Sequence, residues 1–525
     1  MPKSIIIVGG GHNALVCAAY LAERGAQVTV LEARDIVGGA AVTEEFHPGF
    51  RNSTASYTVS LLHPKIIRDL RLHENGLEIL PRDVNNFLPL PDNDSLVNYP
   101  RLEDTLLEVG RFSMRDRDSL VAYYAQLDRI VPVIKDIMLM TPPRLVGGDL
   151  VSGALDLARL FRMSRGFARL DDRDKRFLFK LFAVSAGELL DDLFESDPVK
   201  AMLGFDAVVG HFASPYSPGS AYVLLHHVVG EVNGKSGVWG HAVGGMGAIT
   251  GAMAKEARSR GVSIETGVPV SEVVIENGRV RGVVANAGMR KADIVVSGIN
   301  PRLLFCHLID PAHLAADTLS HFEQYKCRSG TFRMNVALSE LPDFTARHDA
   351  RALGAGIILA PSLAYQDDAY NTARKHGWST APIVEMLIPS TVDDSLAPPG
   401  QHVASLFCQH FDPDLRESWD DNRDEAAEAI IDTANRYAPN FRQAIIAMQV
   451  HSPMDLERKF GLVGGDIFHG RLSLDQLFSA RPMLGMGQYA TEIRGLYLCG
   501  SGTHPGGGVS GIPGHNAARE IARAL

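Results

Sequence analysis

Apolar residues run without a break from Ile5 to Val8, and three glycines follow at once. From Leu15 to Ala22 the apolar positions then form one broad face (Leu15, Val16, Ala18, Ala19, Leu21, Ala22). A short continuous run fits a strand buried on both faces, and a one-sided apolar face fits a helix. Gly25 stands where a helix places its C′ residue, and "QVTVLE", ending at Glu32, is the next strand. The far end has a related pattern. "LYLCGSGTHPGGGVSGIPGHNAAREIARAL" starts as a strand and ends as a helix near Ile512-Pro513, where proline suits the first helical position. Between them lie Gly500, Gly502, Gly506, Gly507, Gly508 and Gly511, with Gly514 just beyond. Glycine costs conformational entropy, so the run predicts that something other than protein approaches this backbone.

The middle of the chain lacks this spacing. Residues 84–235 show helical segments and polar turns, and 302–455 carry strand patterns in "GTFRMNVALS", "PIVEMLIPS" and "HVASLFCQHF". "DEAAEAIIDTANRYAPNF" predicts an amphipathic helix ended by Pro439. "KADIVVSGINP" predicts a strand returning to the domain of the N-terminal strand. Gly245 and Gly247 open another helix, but "WGHAV" before them is a poor buried strand. After them "VPVSEVVIENGRVRGVVA" predicts a hairpin turning at Asn277-Gly278, so a second strand–glycine–helix unit like the N-terminal one is not expected. The stretch Leu155–Phe182 alternates apolar residues with Arg159, Arg162, Arg165 and Arg169. It fits a helix at a membrane surface where a lipophilic substrate enters. The preferred reading is a helical pair with a solvated basic face, its charge diluted by Asp171, Asp172 and Asp174.

The length of 525 residues exceeds one core and predicts two large domains. A net charge of −10 argues against a general nucleic-acid binder. The five cysteines include no C-x-x-C pair, which fits a reducing compartment such as the cytoplasm and gives no support to a metal site or redox disulfide. Neither a secretory leader nor a membrane-spanning run is apparent, so the expectation is a cytoplasmic protein, peripheral to a membrane at most.

Gly9, Gly11 and Ala14 fill G-x-G-x-x-G/A in a strand–turn–helix setting, and Glu32 follows about 20 residues later. These residues predict a dinucleotide site whose acid takes ribose hydroxyls and disfavours a 2′-phosphate. Gly38-Gly39 and the C-terminal glycines extend the close backbone approach, as a longer cofactor, FAD, requires.

Taken together, "VGGGHNALVCAAYLA", "LEARDIVGGAAVTEE", "GGMGAIT", "GGDIFHGRLSLDQLFSARP" and "GLYLCGSGTHPGGGVSGIPGHNAA" resemble the phytoene desaturase-type FAD-dependent oxidoreductases of the flavin amine oxidase-like superfamily. Within it, the likeness is to the branch named for pyridine nucleotide-disulfide oxidoreductase domain-containing protein 2. The resemblance implies an α/β fold, a Rossmann-like FAD-binding domain (1–83, 236–301, 456–525) interleaved with a mixed-sheet plus helical substrate domain (84–235, 302–455). It implies that Gly9, Gly11, Asn13 and Ala14 meet the pyrophosphate, that Glu32, Ala33 and Arg34 lie by the adenosine ribose, and that Gly38 and Gly39 lie under the chain's return. Val270 would grip adenine, Gly500 and Ser501 the pyrophosphate and ribityl, and Val509, Ser510, Gly511 and Ile512 the flavin ring. Ala40 departs from the arginine many relatives have after the glycine pair. His504, in the glycine loop, is the candidate proton mover, with a structural hydrogen bond as its other reading. His515, in the first turn of the last helix, is a second candidate that could equally pack, while Asp466, His469 and Arg481 are expected to pack or hydrogen-bond near the cofactor.

The function expected is that of a FAD-dependent dehydrogenase or desaturase taking hydride from a small lipophilic substrate. The alternatives are a flavin-dependent isomerase without net redox change and a flavin-bearing regulatory or interaction protein.

Overall fold

A computed structural model describes residues 2–147, 150–286 and 288–525. Strand β1 (Ser4–Val8) lies at the centre of a five-stranded sheet. The order is Ser263–Glu265, β2 (Gln27–Leu31), β1, Ile294–Ser297 and Leu496–Leu498, all parallel. Ile5 and Ile7 face a cluster containing Leu15, Val16 and Ala518, while Ile6 and Val8 face another containing Val283, Leu304 and Phe305. Burial on both faces explains why β1 is apolar at every position rather than at alternate ones. Helix α1 (His12–Glu23) ends at a glycine, Gly25, with φ of 84°. The final helix, Ile512–Ile521, packs on α1 so closely that a side chain on Gly514 would sit 2.1 Å from the Asn13 carbonyl oxygen. The two ends of the chain thus share one sheet and one helical layer.

A second, seven-stranded sheet runs Ile445–His451, Phe332–Leu338, His402–Phe411, Trp378–Leu387, Gly356–Leu359, Asn86–Pro89, Ser95–Asn98. It is antiparallel except where Gly356–Leu359 pairs with Asn86–Pro89. The hairpin 86–98 escapes a sequence reading because Asn86, Pro89, Pro91 and Asn93 weaken its strand pattern. Of its two strands only Ser95–Asn98 is an edge. Asn86–Pro89 pairs on both sides, but Pro89 is its last residue and lies beyond the Asn86 and Phe87 pairing with Gly356 and Ile357, and the turn uses Asn93 at a φ of 65°. Helices Met114–Met138, Asp172–Ala183, Asp197–Val208 and Ser220–Val228 pack beside this sheet in the largest apolar cluster.

The glycines at 245 and 247 do not follow a strand of the parallel sheet. Gly240–Ala242 pairs antiparallel with Ile79–Pro81 instead, and the helix Met246–Ser259 leads to the edge strand Ser263–Glu265. Asn277 and Gly278 both take positive φ (52° and 67°), as a two-residue hairpin turn requires. The arginine-bearing segment forms helices Leu150–Phe167 and Asp172–Ala183, and leaves Leu157, Phe161 and Phe179 about two-thirds or more exposed (68%, 67% and 72%). No described helix is long and apolar enough to cross a membrane.

Candidate active site

The loop after β1 is shaped by close approaches. Gly9, at φ of 89°, leaves no room for a side chain, which would meet Ile299 at 2.9 Å. Its N–H donates to the Leu31 carbonyl at 2.8 Å, fixing the loop to the end of β2. Gly11 caps α1 with ordinary extended angles (φ −68°, ψ 167°), and its missing side chain faces open space, with no atom within 4 Å. Gly38 N–H donates to the Gly10 carbonyl at 2.9 Å, and Gly39 lies so near Gly11 that an added Cβ would be 3.2 Å from its Cα. The second glycine pair therefore covers the first loop.

Glu32, buried, accepts from the N–H groups of Gly10 (2.6 Å) and Arg34 (2.9 Å). Arg34 pairs with Glu44, lies over Phe460 at 4.9 Å and keeps Nη1 buried without a partner. Ala33 stands between them, and Gly267 and Val268 return their N–H groups to the carbonyls of Arg34 and Glu32. Val270 begins the next strand, Val270–Glu276, two residues farther on.

The C-terminal glycines differ from the expectation. Added side chains would meet protein backbone or proline within 2.6 Å at Gly500 (Gly298 carbonyl, 2.6 Å), Gly502 (Pro301, 2.4 Å), Gly507 (Phe468 Cα, 2.4 Å) and Gly514 (Asn13 carbonyl, 2.1 Å). Most of this run is glycine because neighbouring chain occupies the space. Gly508, at φ of 91°, and Val509 do border a cavity, and Ser501 borders it too. Ser501 also accepts a 3.0 Å hydrogen bond from Asn13 Nδ2, joining the two ends of the chain. Ser510 and Ile512 are buried beneath, and Gly511 caps the final helix at φ of 74°.

The cavity, about 110 Å³, is lined by His12, Ala40, Ser501, Gly508 and Val509 together with Tyr57, Val209, His227, Trp239 and Phe407. A larger cleft of about 980 Å³, lined by residues such as Arg302, Arg374 and Asp412, touches none of the glycine loops. The smaller cavity is therefore where chemistry next to the loops would occur. Buried charge backs the lining at Tyr57 and Thr58. Tyr57 donates its hydroxyl to Glu385, stacks on Phe407 at 5.1 Å and has the Arg333 guanidinium 4.6 Å from its ring centroid. Arg333 donates to Leu406 O (2.6 Å) and Ser405 Oγ (2.7 Å), and Arg82 donates to Thr58 Oγ1 at 2.7 Å. Burial raises the Glu385 carboxyl above its usual range, opposed by Arg82, Tyr57 and Arg333. Burial pushes Asp206 up to about 7, with the Glu385 charge adding to it.

The structure places His504 elsewhere. It is buried against Phe478, with Nε2 at 3.1 Å from the Ile137 carbonyl, and burial pushes it down to about 4. It is not among the residues lining the cavity. His515 is half-buried beside Tyr20 and Asn516, also away from the cavity. The histidines at the cavity are His12, His227 and His469. Burial holds all three low, at about 4, 4 and 3, so they are neutral near pH 7. His12 sits inside the glycine motif, where the spacing draws attention to its neighbours instead. Tyr57 and Glu385 are 328 positions apart, and no local pattern marks them. The five cysteines are free thiols; Cys17 and Cys499 adjoin in the core, where burial raises the Cys17 thiol.

Several buried polar atoms here lack a protein partner: His12 Nε2, Asn13 Oδ1, Arg34 Nη1 and His469 Nδ1. Buried polar groups are ordinarily satisfied. With the open face of Gly11, these donors and acceptors fit a long polar cofactor laid across the loops. Residues 15–522 match the family described as flavin containing amine oxidoreductase. The chain belongs to this family. It is 37% identical over 542 residues to the pyridine nucleotide-disulfide oxidoreductase domain-containing protein 2 of Rattus norvegicus, covering 99% of this chain and 93% of that protein. A limonene dehydrogenase component of Castellaniella defragrans is 24% identical, covering 99% and 94%. The phytoene desaturase (lycopene-forming) of Pseudescherichia vulneris is also 24% identical, covering 97% and 96%. Among solved structures, an oxidoreductase from Methanosarcina mazei superposes with a TM-score of 0.64 at 16% identity, covering 99% of this chain and 100% of that one. Cyclohexylamine oxidase from Brevibacterium oxydans gives 0.58 at 14%, covering all of both chains. This flavin amine oxidase-family member is a FAD-dependent oxidoreductase of the α/β class expected from its motifs.

Proposed function

We propose that the enzyme is a dehydrogenase that takes hydride from a carbon of a small lipophilic substrate held in the cavity behind Tyr57. The observation that carries this reading is the cavity itself. Cofactor-loop residues form one wall, and Val209, Trp239, Phe407, Ile467 and Phe468 make the remainder mostly apolar. FAD supplies the hydride acceptor when bound. In this reading Gly9, Gly11, Asn13 and Ala14 hold its pyrophosphate, with Gly500 and Ser501 closing from the other end. Glu32, Ala33 and Arg34 hold the adenosine ribose, Gly38 and Gly39 roof the loop, and Val270 meets adenine. Val509, Ser510, Gly511 and Ile512 support the ring, with the N-terminus of the final helix offering N–H groups to negative charge. Tyr57 takes the substrate proton as it passes its own to Glu385, and the Arg333 cation stabilises the phenol oxygen during the exchange.

Relatives named for limonene and phytoene support an apolar substrate. The exposed Leu157 and Phe161, beside Arg162 and Arg165, support peripheral contact with an anionic lipid surface from which such a substrate would enter. The test is anaerobic titration of the oxidised holoprotein with lipophilic alkenes, alcohols and amines. Bleaching of the flavin by at least one class is the expected result. Turnover only after prereduction would replace this reading with an isomerase, and indifference to every class would leave a flavin-bearing binding protein.

A further inference from the structure

Arg481 is a cation with no solvent exposure, and no carboxylate oxygen of the described residues comes within 4.0 Å of it. Its Nη1 donates to the carbonyls of Gly470 (3.2 Å), Arg471 (3.4 Å) and Gln476 (3.1 Å), and its Nη2 to those of Phe468 (2.7 Å) and Ser501 (2.9 Å). Nε is buried without a partner, on the side of Gly506, whose absent Cβ would lie 3.6 Å from it. Five carbonyls satisfy donors, but they carry no net charge. Phe468 and Ser501 border the cavity, so the guanidinium lies one peptide layer beneath the cavity wall. The carboxylate that faces the same region is Asp466, 1% exposed, with Oδ2 unpartnered. Burial pushes it up to about 6, and Arg481 is among the groups pulling it back down. A buried charge without an ion partner is costly, and its field reaches far in a poorly screened interior. It gains a partner when negative charge forms on the other side of the wall.

We propose that Arg481 sets the reduction potential of the bound FAD, stabilising the negative charge that the isoalloxazine ring carries once it has accepted a hydride. Acceptance brings two electrons and one proton, leaving one added negative charge on the ring. The argument holds whichever substrate gives the hydride, so its failure leaves the substrate reading untouched.

Two substrate-independent measurements on the FAD-loaded protein test it: the midpoint potential by dye equilibration, and the dissociation constant of sulfite, whose addition to the ring also leaves negative charge there. Arg481→Met is expected to weaken sulfite binding at least about tenfold and to lower the potential by about 30 mV or more, the tenfold equivalent for a two-electron couple. Arg481→Lys loses the forked hydrogen bonds and melts lower, but keeps both values within about threefold of the parent, the potential being converted by the same constant. Asp466→Asn, removing the opposing charge, shifts both in the other direction. Equal values for Arg481→Met and the parent would overturn the proposal. So would a lysine variant that falls as far as the methionine one, since loop packing rather than charge would then be responsible. If Arg481→Met fails to retain FAD, the absence of an opposite shift in Asp466→Asn overturns it.

Discussion

The two glycine-rich ends of this chain look alike as text and differ in space. At the N-terminal end Gly11 has ordinary backbone angles and nothing within 4 Å of its missing side chain. At the C-terminal end a Cβ added to Gly500, Gly502, Gly507 or Gly514 would lie 2.6 Å or less from other parts of the protein. In the proposed reading Gly11 is glycine for the sake of a ligand, whereas much of the second end, like Gly9 and Gly38 at the first, is glycine for the sake of packing. The same composition thus serves two purposes, and only the neighbours reveal which.

The comparison breaks most visibly at Gly514. Gly514→Val is expected to force the final helix off α1, because the Asn13 carbonyl is backbone and cannot turn aside. Overpacking of this kind costs about 3 kcal/mol or more, and chemical denaturation should show it even with FAD in excess.

Acid should come next. His211, His226, His227, His410 and His504 are all buried, at 6% exposure or less, and burial holds them at about 3, 3, 4, 3 and 4, against an ordinary 6.5. Between those values and 6.5 the unfolded chain binds more protons than the folded one, so stability falls as pH drops. Each group contributes up to about 1.4 kcal/mol per pH unit. Asp206 and Asp466, raised to about 7 and 6, act in the opposite sense above their ordinary 3.8, but they are outnumbered. Melting temperature should therefore decline steadily below pH 6.5; a flat profile down to about 4 would mean that these rings are solvated.

A smaller stability effect belongs to the cavity wall. Tyr57→Phe leaves Glu385 without its hydroxyl donor and should cost about 1–3 kcal/mol in stability. With a substrate found by anaerobic titration, it should also slow flavin reduction about a hundredfold. An unchanged rate would remove Tyr57 from the proton path.

What the sequence makes legible follows from how local each signal is. The β1–α1–β2 unit, Glu32 and the hairpin turn at Asn277-Gly278 are marked by residues a few positions apart, and they stand where the spacing puts them. The cavity wall is assembled across the fold, as when Tyr57 meets Glu385 over 328 positions, and no period records such a meeting. His504 drew attention by lying in the glycine loop, yet its ring packs against Phe478 and Ile137, outside the cavity lining. The hairpin Asn86–Asn98 is hard to see in the sequence because its strands are short and Pro89, Pro91 and Asn93 fall at a strand end and in the turn, where they interrupt any alternating pattern.

The most direct test of the central claim is the FAD dissociation constant of Gly11→Ala, measured beside its unfolding curve. A methyl group there meets no protein atom, so apoprotein stability should stay within about 0.5 kcal/mol of the parent. Affinity for FAD should fall about a hundredfold, or about 2.7 kcal/mol. Undiminished FAD affinity in a stable Gly11→Ala protein would contradict the account, because the cofactor would then not lie against this loop.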